Sequence, residues 1–91
     1  ELQLRSLIDR VAAARDALAV ARDALDNARE RDDVDRSRLE AGLIAEIAYD
    51  QTRLATAQAR LSAMQAEHDL LLALLRLQSE TGVPLEGLDG F

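Results

Sequence analysis

The chain has no cysteine, no tryptophan and no lysine, and only one proline, one phenylalanine and one tyrosine among its 91 residues. Without cysteine there is no disulfide framework and no thiolate ligand for a metal. Long apolar runs are missing too: the longest, Leu70 to Leu75, falls far short of the ~20 residues that a spanning helix needs. The segment is therefore expected to stay soluble, without direct membrane insertion. No basic-then-apolar leader opens it, so any export signal is expected outside it. Excess positive charge is also lacking. Against 17 acidic residues stand 11 basic ones, a net charge of -6, which repels phosphate backbones and anionic headgroups and argues against nucleic acid as a partner. With lysine absent every basic residue is arginine, the side chain suited to forked hydrogen bonding with carboxylates.

What remains is alanine and leucine. Hydrophobic residues make up 48% of the chain while aromatics make up 2%, so the apolar content is of the kind that costs little helix entropy and suits close helix contacts. A chain this short builds only a marginal core alone, and a partner is expected.

From Leu4 the apolar positions run Leu4, Leu7, Val11, Ala14, Leu18, Ala21, Leu25, Ala28. Their spacing alternates between three and four, the seam of a left-handed coiled coil. Extending that register places Asp32 and Asp35 where core residues belong. Unpaired buried carboxylates are costly, so the first helix is predicted over 2–31. A second seam reads Leu43, Ile47, Asp50, Leu54, Ala57, Leu61, Met64, His68, Leu71, Leu75, Gln78, predicting a helix over 38–80. Between them residues 32–38 are polar, and Ser37 with Glu40 three residues on forms a capping-box pattern. An antiparallel turn is predicted there, with one unbroken helix through 32–38 as the alternative, because no Gly or Pro interrupts that stretch. Thr81-Gly82-Val83-Pro84 stops the second helix, and the tail 81–91 is expected to be extended.

Each helix also carries a stripe of small residues, Ala13, Ala17, Val20 and Ala24 on the first, and Ala45, Ala48, Thr52, Ala55, Ala59, Ala66 and Ala73 on the second. A helix with two seams needs two neighbours. The fold predicted is all-α: a single antiparallel two-helix coiled-coil hairpin that packs into a larger helical bundle or barrel, as a homo-oligomer or against neighbouring helices.

No catalytic, cofactor or metal site is expected. His68 lies in the predicted seam without a second His or a Glu three residues before it, and Asp50 reads as a register-setting residue able to pair with Arg53 or Arg10. Asp33, Asp35 and Ser37 echo the start of a calcium loop, yet Arg38 and Ile44 stand where its Gly and Glu belong. The serines have one histidine between them and no Gly-rich elbow. The repeated Arg15-Asp16, Arg22-Asp23 and Arg29-Glu30 read as a solvated, salt-bridged face.

Ala17 to Gly82 resembles the periplasmic helical hairpin of TolC-like outer membrane efflux proteins. The residues that carry the likeness are Arg31, Val34, Ser37, Leu39-Glu40, Ala45-Glu46, Leu54-Ala55-Thr56-Ala57-Gln58-Ala59, and Leu74 to Gly82 with Pro84 beyond. Asp32 stands where that family has an aromatic residue, and Asp35 where it has a turn glycine. The resemblance implies a periplasmic portion of an outer membrane channel, of which this chain would be only the α-hairpin. Its tip, Val34, Asp35, Arg36 and Ser37, would dock a periplasmic adaptor protein. The alternative is a free-standing coiled-coil interaction module that forms a homodimeric four-helix bundle.

Overall fold

A computed structural model describes residues 2–81. Two long helices, α1 (Leu2–Glu40) and α2 (Glu46–Thr81), lie against each other as a hairpin. The rod measures 60 × 22 × 14 Å, its long dimension matching the ~58 Å that α1 spans at 1.5 Å per residue. The all-α hairpin is as expected. Beyond Thr81 the predicted extended tail lies outside the described residues.

The α1 seam behaves as its spacing predicts. Leu7, Val11, Leu18 and Leu25 are buried, Val11 to 1% exposure, and Leu4, Ala14, Ala21 and Ala28 between them are half-buried. Away from the turn, Leu7, Val11 and Leu77 form a core with Leu4, Leu70, Ala73 and Leu74 packed against it. Toward the middle of the rod α2 offers mainly small residues: Ala63 and Ala66 are buried and Ala59 half-buried. Leucines of one helix on alanines of the other let the two axes approach closely.

The turn is not at 32–38. α1 continues through that stretch to Glu40, and the chain reverses over 41–45. Gly42 has φ 74°, the left-handed conformation that a side chain disfavours. Its N–H donates to the Leu39 carbonyl at 3.0 Å, and the Leu43 N–H donates to that of Arg38 at 2.8 Å. Together these two bonds make the Schellman closure of a helix C-terminus. Ser37 therefore caps nothing; it sits inside α1 and its carbonyl accepts from the Ala41 N–H. α2 starts where the Ala45 carbonyl accepts from the Ala48 and Tyr49 N–H groups at 3.1 and 3.2 Å. Glu46 in its first turn complements the positive end of the helix dipole.

Asp32 and Asp35 do not end α1 because both carboxylates find partners. Asp32 is only 9% exposed, yet its Oδ1 accepts from Arg36 Nη2 at 2.8 Å and from the Tyr49 hydroxyl at 2.9 Å. Thr52 Oγ1 donates to Asp35 Oδ2 at 2.6 Å. Among the described residues no buried side-chain nitrogen or oxygen lacks a partner, so the penalty that would have stopped the helix is met by arginines one turn on in α1 and by hydroxyls from across the hairpin.

Candidate interaction surfaces

α2 is rotated relative to the sequence-based expectation. Leu43, at the turn, and Ile47, Leu54, Leu61, Met64, Leu71 and Leu75, placed in the seam by their spacing of three and four, are all exposed. The face that meets α1 instead contains Ala48, Tyr49, Thr52, Thr56, Ala59, Ala63, Ala66, Leu70, Ala73 and Leu77, which are buried or half-buried. Much of this is the stripe of small residues predicted to face a second neighbour, although Ala45 and Ala55 are exposed. The physical reason is volume. The α1 seam already supplies the leucines, and a close approach of the two axes leaves room mainly for alanine and threonine opposite them.

The consequence is a stripe of large apolar side chains on the outer side of α2, with Leu72 beside it at 50% exposure. Leu54 and Leu61 lie two residues before the inward Thr56 and Ala63. At ~100° per residue that places the stripe about 160° around the helix from α1. α1 shows the same opposition in miniature, since Ala13, Ala17, Val20 and Ala24 are exposed on its outer side. Asp50 and His68 are also exposed, both on the outer stripe rather than in the hairpin seam.

At the turn end the inner face is polar. Besides its bond to Asp32, Arg36 donates through Nε to the Tyr49 hydroxyl at 3.1 Å and lies 3.7 Å from Asp33. The Arg36 guanidinium is held above its ordinary pKa, first by the hydrogen bond with Tyr49, then by the electrostatic pull of Tyr49 and Asp32. Thr56 Oγ1 lies within hydrogen-bond distance of the Thr52 and Ala28 carbonyls, at 3.0 and 3.3 Å, and of Asp32 Oδ2 at 3.5 Å. This layer favours one register of the helices, because sliding either by one residue would cost Asp32 its bond from Tyr49 and Asp35 its bond from Thr52.

The predicted docking tip is thereby displaced. Val34, Asp35, Arg36 and Ser37 lie on α1 before the turn, with Asp35 and Arg36 committed to α2. The tip itself is residues 41–45, with Leu43 at 74% exposure. Val34 and Ser37 remain close to it, lining a shallow hollow with Asp33, Arg38 and Leu43. Gly42 was the available signal for this turn, overlooked in favour of the polar run before it.

Among the described residues no group of three or more His, Asp or Glu is placed to hold a metal ion. No helix among them is long and apolar enough to cross a membrane. Compared with protein-family models, curated proteins and solved structures, the chain gives no significant match.

Proposed function

We propose that the chain is a structural helix-packing component: the periplasmic α-hairpin of a TolC-like outer membrane efflux channel, packed side by side with other helices and docking an adaptor through its turn. The observation that carries this reading is the outer stripe of α2, lying opposite the seam to α1. Seams on opposite sides of a helix build a layer or a cylinder of helices rather than a compact bundle. The outer faces are also complementary in size. In the register used inside the hairpin, Leu61, Met64 and Leu71 of one copy fall opposite the small Ala24, Val20 and Ala13 of a neighbour, repeating the leucine-on-alanine packing of the hairpin itself.

The position of the turn supports the same reading. The chain reverses on a glycine, Gly42, as the family's turn does, seven residues after the position at which the likeness sets Asp35. Docking then belongs to Gly42 and Leu43 at the exposed end.

Capture by the immobilised hairpin of a periplasmic adaptor, with the chain assembled in outer membrane vesicles, tests the proposal. The expected result is capture that Leu43→Asp weakens by about tenfold, the ~1.4 kcal/mol of one lost apolar anchor, while helicity is unchanged. Paired cysteines replacing Leu61 and Ala24 are expected to link neighbouring copies. Absence of both capture and linkage would overturn the reading.

A further inference from the structure

We infer that two copies of this chain, when no lateral neighbour covers α2, pair through their outer stripes as an antiparallel α2–α2 coiled coil whose register is set by Asp50 of each copy against the partner's His68. The pairing goes beyond the efflux reading and does not depend on it.

The stripe is a complete seam. Ile47, Asp50, Leu54, Ala57, Leu61, Met64, His68, Leu71 and Leu75 alternate by three and four, and the apolar ones other than Ala57 are large and between 41 and 71% exposed. With Leu43 and Leu72 added, the large side chains offer on the order of 800 Å² per copy, one side of a standard stable interface. Two polar residues interrupt it, and they decide orientation. In a parallel pair each seam residue meets its own copy, so Asp50 would face Asp50 and His68 would face His68 across the axis. In an antiparallel pair the layers join unlike heptad positions, and one register sets Asp50 against the partner's His68.

That single choice determines every other layer. Leu54 meets the partner's Met64, Ala57 the partner's Leu61 and Ile47 the partner's Leu71, so every other layer within this span is apolar on apolar. Slipping by one heptad either way instead buries Asp50 against the partner's Leu75 or Leu61, leaving a carboxylate without a partner. The flanking positions do not choose the register, since the slip that sets Asp50 against the partner's Leu75 would place Arg60 beside the partner's Glu67; the core layers choose it. In the unslipped register Arg53 lies beside the partner's Glu67, whose own chain already brings Arg22 to it at 3.5 Å, and Gln51 lies beside the partner's Gln65. Arg60 meets the partner's Arg60 at the two-fold, an exposed rim contact of small cost. The four helices then lie in one layer, α1–α2–α2–α1, with the two turns at opposite ends.

Because the chain has no cysteine, engineered thiols report the register directly. Under mild oxidation the chain with Ile47→Cys and Leu71→Cys is expected to form a covalent dimer, whereas Leu54→Cys with Leu71→Cys, one heptad out of register, and Ile47→Cys alone are not. In sedimentation equilibrium, His68→Asp is expected to weaken dimerisation by about tenfold, as a like-charge layer should. The exchanged pair D50H/H68D is expected to restore it to within roughly threefold. All these positions are on the outer face, and retained helicity by circular dichroism certifies the fold. A chain monomeric at every concentration overturns the inference, as does linking through Ile47→Cys alone or failure of the exchange to rescue. Linkage of Leu61→Cys to Ala24→Cys of a second copy, with none between α2 helices, overturns it too while supporting the lateral packing of a channel.

Discussion

The two faces of α2 are built from different residues, and only one of them meets a neighbour within the hairpin. The face toward α1 is alanine, threonine and one tyrosine until it reaches Leu70, Leu74 and Leu77 at the open end. The opposite face carries leucine, isoleucine and methionine along its length, interrupted by Asp50, Ala57 and His68, and it is uncovered within the hairpin. The difference teaches that side-chain size does not decide which face of a helix is inside a hairpin. What decides is the volume the partner helix leaves, and α1 leaves little because its own seam is leucine.

The comparison can be broken most sharply by making the same truncation on both sides of it. Leu18→Ala removes a leucine buried to 6% exposure and is expected to cost ~2–5 kcal/mol in urea unfolding. Leu61→Ala, at 54% exposure, is expected to stay within ~0.5 kcal/mol at concentrations where the chain is monomeric. Equal costs would mean that α2 is turned the other way. Next in size, Asp32→Ala leaves the Tyr49 hydroxyl and Arg36 without their shared acceptor and is expected to cost ~1–3 kcal/mol, whereas Asp50→Ala on the outer face is expected to be near neutral in the monomer.

The turn gives the smaller effects. Gly42→Ala is expected to cost about 1 kcal/mol, purely from the left-handed backbone, since nothing lies within 4 Å of the added methyl group. Val34, inside α1, should accept alanine with little change. Ala45→Ser acts in the other direction: it supplies the capping oxygen that the first turn of α2 lacks, and a gain of ~0.5–1 kcal/mol is expected in thermal unfolding.

Much of this architecture was legible from residue spacing alone. The α1 seam from Leu4 to Ala28 could be read because its apolar positions alternate by three and four without interruption, with only Ile8 and Val20 as large apolar residues off that face in this stretch. The failure began at Asp32. Reading a carboxylate in a seam as a stop was sound physics for an unpaired charge, but Asp32 is met by Arg36 one turn on and by Tyr49 and Thr56, and Asp35 by Thr52; the partners on α2 become neighbours only once the turn is known to lie at Gly42. A heptad pattern looks the same after a shift of seven residues, so nothing in the Ala/Leu texture distinguishes a reversal near Asp35 from one near Gly42. Only the glycine does, through its backbone conformation. On α2 two stripes with the same spacing compete, and choosing the bulkier one selected the wrong face. The docking positions inherited that error, because the tip moved with the turn.

Intramolecular disulfide formation across the hairpin tests the account most directly, since it depends on both the turn and the rotation of α2. At dilution, the chain with Leu18→Cys and Ala66→Cys is expected to close an internal disulfide with full retention of helicity, while Leu18→Cys with Met64→Cys is expected to remain reduced. Closure of the second pair and not the first would mean that the large stripe faces α1 and that the outer surface described for α2 does not exist.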